Sequence, residues 1–172
     1  MGVGKIGFFL SVIVMSVAVT SLIVNVYLFD VVTQLNDELS ELQKVEFQTI
    51  DKGETSGHEN SVYYVIENES AWTVIWNQHQ SYRMTPPPQP KIDFSKNIVI
   101  AVFMGWCHGL GNHEIEVKEI LNTPQCVIVK VEKTHFTGGY WPAASQPYHI
   151  VKMERIGKEI TFETVERTTE RS

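Results

Sequence analysis

An α+β domain carried behind one apolar helix is the architecture these 172 residues spell out, on three grounds. A long charge-free run lies near the start, one later segment repeats its apolar residues at helical spacing, and most of the rest falls into short β-branched runs bounded by turn residues. With 43% apolar and 20% charged residues, the chain has the material for one core. The net charge of −6 and the lack of any basic run exclude a nucleic-acid surface, which rests on clustered Lys and Arg.

The charge-free run, IGFFLSVIVMSVAVTSLIVNVYLF, covers 24 residues from Ile6 to Phe29. As a helix it would measure roughly 36 Å, against about 30 Å of bilayer hydrocarbon. It is too long for the apolar part of a cleaved signal peptide. This predicts a transmembrane signal anchor over 6–29, with residues 1–5 as a cytoplasmic stub. Lys5 precedes the run and all 20 acidic residues follow it, so the positive-inside bias places the C-terminal part outside a cell membrane that it crosses once.

Residues 30–44 read as a helical stalk. Leu28, Val32, Leu35, Leu39 and Leu42 form a seam of a and d positions. The seam suits a weak homodimer through residues 28–42, or a monomeric stalk whose stripe lies on its own domain or at the membrane surface. The extracytoplasmic domain then occupies 45–172. VEFQTI and VYYVIE read as strands. Asn68 caps ESAWTVIWNQHQ, in which Trp72, Ile75, Trp76 and His79 share one helical face, and TPPPQP cannot continue that helix. NIVIAVFMGW is apolar throughout and predicts a central strand covered on both faces. HEIEVKEI, CVIVKVEK, PYHIVKME and EITFETVE follow, giving a mostly antiparallel, curved sheet of about seven strands with one packed amphipathic helix.

GWCHGLGNH, residues 105–113, admits several chemistries. Cys107, His108 and His113 offer metal-ligand residue types, but His108 and His113 meet only half of a structural zinc spacing. Cys107 beside His108 is no proof of a nucleophile and base, whose members meet in space. The simplest reading is a loop between strands, with Gly111 and Asn112 tolerating positive φ and His113 opening the next strand. Cys107 and Cys126 would form a disulfide if close, although a meander of the three successive strands sets them at opposite sheet edges. THFTGGYWPAASQP, residues 134–147, is a long loop carrying Phe136, Tyr140, Trp141 and Pro142, which are candidate protein-binding anchors or, alternatively, rings folded down over the sheet edge. Asn68-Glu69-Ser70 is a glycosylation sequon. No residue is assigned a catalytic role, and no cofactor is implied.

VYYVIENESAWTVIWNQH, the P-KIDFSKNIVIAVFMG stretch and SQPYHIVKMER together resemble the PrcB-type family of protease-complex accessory subunits, over roughly residues 45–165. Leu110-Gly111-Asn112-His113 stands where that family has a Thr-Gly-Gly-Tyr type of turn, so the turn survives without its Tyr. The resemblance implies a non-catalytic module that binds or stabilises an extracytoplasmic subtilisin-like protease. A pilin-like filament subunit is a second reading, suggested by Lys5-Ile6-Gly7 before Phe8 and a long apolar helix, although the acid that pilins place near the start of that helix is absent. A metal protein built on Cys107, His108 and His113 is a third.

Overall fold

A computed structural model of the chain describes residues 20–35, 43–108, 113–137 and 144–170. The chain divides into two compact units, Met1–Leu42 and Gln43–Ser172.

In the first unit, residues 20–35 form helix α1. Two of its polar side chains bond back within the helix: Asn25 Nδ2 donates to the Ser21 carbonyl at 2.9 Å and Thr33 Oγ1 to the Phe29 carbonyl at 2.8 Å. No helix among the described residues is long and apolar enough to cross a membrane. At 1.5 Å per residue the described residues of α1 cover about 24 Å, against the roughly 30 Å of bilayer hydrocarbon. It also carries Asp30. The single-pass anchor, and the cell-membrane location with an outward-facing domain that was inferred from it, are therefore corrected. Residues 6–19 of the apolar run, and Leu39 and Leu42 of the seam, lie outside the described residues.

The second unit is mostly sheet. Its elements are β1 (Gln43–Lys44), β2 (Phe47–Gly53), β3 (Val62–Ile66), α2 (Glu69–His79), β4 (Asn97–Phe103), β5 (Glu114–Asn122), β6 (Val127–Thr137), β7 (Tyr148–Glu154) and β8 (Ile160–Glu170). These eight strands form two four-stranded sheets, in the orders β1-β5-β6-β8 and β2-β7-β4-β3. The expectation of one curved sheet of about seven strands is thus overturned. The connection after β4 does not fold β5 back onto its neighbour: β4 pairs with β3 and β7, whereas β5 enters the other sheet. The strand pairs are antiparallel except β6 and β8, which run parallel because β7, lying in the opposite sheet, forms the crossover between them.

β4 explains the layering. Ile98, Ile100 and Val102 point between the sheets, packing with Ile115, Val117, Val129 and Val131. Val99, Ala101 and Phe103 point the other way, packing with Trp72, Trp76, Tyr148 and Ile150 beneath α2. An alternating strand would leave one face wet. This one is apolar at every position because a sheet covers one face and a helix the other, each fully buried aliphatic side chain contributing about 1.5–3 kcal/mol.

α2 starts where Asn68, with extended backbone, accepts the Ala71 amide on Oδ1 at 2.9 Å. The proline-rich segment returns beneath it, and the Trp72 indole donates to the Pro90 carbonyl at 2.9 Å. Register shifts mark β2 between Thr49 and Asp51, and β5 between Val117 and Glu119. Both bulges sit beside the buried His149.

Candidate functional site

The segment leaving β4 turns at Gly105, whose φ of 77° belongs to the left-handed region. A Cβ there would lie 2.6 Å from the Ser61 amide nitrogen, so glycine is required on both counts. The chain is then stitched to two others. The Trp106 amide donates to the Glu59 carbonyl at 2.9 Å, and Cys107 exchanges backbone bonds with Ser145, donating at 2.8 Å and accepting at 3.2 Å. The two segments singled out in the sequence, 105–113 and 134–147, therefore meet at one end of the sandwich.

A cleft of about 290 Å³ opens there, lined in part by Met104, Trp106, Cys107, His108 and His113. The strand ends supply the rest: Lys133 and His135 from β6, and Glu166 from β8. Phe136, beside His135, is half-buried and pairs with Thr169 of β8. Gly111, Asn112, Tyr140, Trp141 and Pro142 lie outside the described residues.

Cys107 is buried, and its thiol donates to the Gly105 carbonyl at 3.7 Å. Burial pushes its pKa up, only partly offset by the Lys133 charge. A nucleophilic cysteine needs the opposite setting, one that favours thiolate. His113 is buried too, and its imidazole is held below the usual range first by burial and then by His135, whose ring meets it edge-on with centroids 5.3 Å apart. Neither ring nitrogen of His113 has a hydrogen-bond partner among the described residues. Among those residues, no three His, Cys, Asp or Glu side chains group as a metal ion would require.

Both cysteines are free thiols. Cys126 stands beside Thr123 in the β5–β6 turn, its amide donating to Thr123 Oγ1 at 3.1 Å. Cys107 shares its cleft with His113, at the other end of β5. A nine-residue strand separates its ends by nearly 30 Å, far beyond disulfide reach.

Trp106, Lys133 and Glu166 were not legible as site residues. Trp106 closes an apolar run and reads as core, yet it is 48% exposed and stacks in parallel on His108, with centroids 5.9 Å apart and planes 5° from coplanar. Lys133 donates to Ser61 Oγ at 3.2 Å, lies over the Tyr63 ring and pairs with Glu166 at 3.9 Å.

A second cluster has the residue types of a hydrolase but not the access. His79 donates from Nε2 to Asp51 Oδ2 at 3.2 Å and receives the Ser56 hydroxyl on Nδ1 at 3.1 Å. Burial pushes against ionisation of Asp51, but hydrogen bonds from His79 and Tyr148 outweigh it and hold the carboxyl below its ordinary value. Burial and then the Asp51 charge push the Tyr148 hydroxyl upward. Ser56, only 1% exposed, already accepts the His58 amide at 3.2 Å. A nucleophile must meet its substrate, so this chain of bonds acts as a clip from the last turn of α2 to β2.

Comparison of the chain with protein-family models, with curated proteins and with solved structures gave no match.

Proposed function

We propose that the Gln43–Ser172 unit is a non-catalytic protein-binding module whose contact surface is the end of the sandwich bearing Trp106. One observation carries this reading: a tryptophan nearly half exposed, fixed by its amide bond to Glu59 and its stack on His108, stands at the rim of a cleft. Ordered aromatic groups of this kind anchor protein interfaces, because they bury much apolar area and lose little side-chain freedom. Covering the indole would contribute on the order of 1.5–3 kcal/mol.

The titratable groups support a binding role over catalysis. Burial disfavours the Cys107 thiolate, and the Ser56 hydroxyl is enclosed. The resemblance of residues 45–165 to protease-complex accessory subunits suggests a protease as the class of partner. The test is capture on tagged full-length protein, with bound proteins identified by mass spectrometry, for the wild type and for Trp106→Ala. A partner held by the wild type should fall at least about tenfold on the variant, the loss expected from one interface anchor. Equal recovery on both would remove this surface from consideration.

A further inference from the structure

One exposed carboxylate lines the cleft, that of Glu166 on β8, and two more exposed glutamates stand next to lining residues: Glu59, whose carbonyl holds the Trp106 amide, and Glu114, which follows His113 into β5. Among the described lining residues, the single Lys or Arg is Lys133, and its charge is already engaged by Glu166 at 3.9 Å and by the Tyr63 ring. The Lys133 side chain is only 15% exposed, while that of Glu166 is 64% exposed. The anion, not the cation, therefore faces outward. Burial, and then His135, disfavour a charge on His113. On the same cleft as Glu166 lies the half-exposed Trp106, the ring type that most favours a cation above it. The chain as a whole carries −6, which favours association with basic partners over acidic ones.

We infer that this end of the sandwich docks a basic segment of a protein partner, with an Arg or Lys side chain laid over the Trp106 indole and its charge against Glu166. The aliphatic stem of such a side chain matches Met104 on the cleft wall, and its head reaches the exposed carboxylate. Arginine suits the place better than lysine, because its planar guanidinium stacks on the indole and still offers a fork to the carboxylate. This inference rests on the binding-surface reading and adds to it the chemistry of what binds.

The experiment titrates the full chain with acetyl-hexaarginine amide, followed by tryptophan fluorescence, with acetyl-hexaglutamate amide as the opposite-charge control. The arginine peptide should change the fluorescence and the glutamate peptide should not. Trp106→Leu should weaken arginine-peptide binding roughly two- to fivefold, and Glu166→Gln should weaken it at least as much, because that change also leaves Lys133 unopposed. For both variants the affinity is read by calorimetry, with circular dichroism to confirm the fold. Glu154→Gln removes an equal charge from the far end of β7, where Glu154 pairs with Asn97. It should leave binding within about twofold of wild type, because a separation beyond the Debye length screens it. If Glu154→Gln weakens binding as much as Glu166→Gln does, or if the glutamate peptide binds equally well, the inference is overturned. If partner capture depends on Trp106 while arginine-peptide binding ignores Glu166, the binding surface stands and its basic occupant falls.

Discussion

The Val117 amide donates to His149 Nδ1 at 3.0 Å, a bond from β5 of one sheet to β7 of the other. It forms at the bulge where β5 shifts register against β6. Because Nδ1 accepts, the proton of the neutral ring sits on Nε2, which donates to Thr49 Oγ1 at 2.9 Å beside the β2 bulge. One buried imidazole thus ties together both sheets and both irregularities. It holds them only while uncharged, since a second ring proton would face the Val117 amide donor to donor.

Acid should therefore loosen the sandwich. Burial, followed by the charge of Lys52, lowers the His149 pKa from 6.5 to about 4. The unfolded chain takes up this proton near 6.5 and the folded chain only near 4, so stability is complete above the higher value, falls as pH drops between the two, and levels off below the lower one. The loss attributable to His149 is on the order of 3 kcal/mol. His58, buried against Phe103 and also lowered to about 4, adds a slope of the same sign. Urea denaturation across this window is the measurement. His149→Gln, whose amide oxygen can still accept from Val117, should flatten part of the slope, and an unchanged slope would rule out His149 as its source.

Gly105→Ala should be costly at a buried turn outside the two hydrophobic clusters. The new methyl would meet the Ser61 amide nitrogen at 2.6 Å, and the φ of 77° disfavours any side chain. A loss of about 1–3 kcal/mol is expected in chemical denaturation. Trp106 follows directly, so the variant should also shift the Trp106 indole resonance. Gly157→Ala, where an added methyl meets nothing within 4 Å, is the matched control and should stay near wild type.

Ser56→Ala separates a clip from a catalytic chain. The change leaves His79 Nδ1 and the His58 amide without their partner in a buried place. About 1–3 kcal/mol of stability should be lost. Hydrolysis of activated esters by the wild type should not exceed that of the variant. A wild-type rate clearly above the Ser56→Ala rate would reopen the hydrolase reading.

Some of this architecture was written locally and some was not. Helix α2 was legible because Asn68 supplies a cap and Trp72, Ile75, Trp76 and His79 fall on one face, all within a single short segment. The burial of β4 on both faces was legible from its unbroken apolar run. Which layers cover it was not, since alternation in β5 and β6 tells only that one face of each is buried. Membership of a second sheet depends on long-range pairing, such as the parallel register of β6 with β8. The apolar run 6–29 was read from hydropathy and length alone, whereas no helix among the described residues is long and apolar enough to cross a membrane. At the site, Cys107 and His113 are near neighbours in sequence and their shared cleft is unsurprising. Trp106 is exposed on a segment held by the neighbouring Cys107–Ser145 bridge, a contact between distant segments that no local pattern encodes.

The two cysteines give a last prediction that needs no variant. Both are free, so titration with a thiol reagent in denaturant, without reductant, should find two thiols per chain. In the folded protein their reactivities should differ. Cys107 is 8% exposed and its thiol is pushed toward the protonated form by burial, whereas Cys126 lies half-buried in the β5–β6 turn with its sulfur 3.8 Å from Thr161 Oγ1. Alkylation depends on thiolate and access together, so Cys126 should be modified first and Cys107 only as the fold opens. Peptide mapping after brief iodoacetamide treatment reads the order directly. Cys107 reacting first would mean that its cleft is open and its thiol activated, which would restore the nucleophile that the geometry argues against.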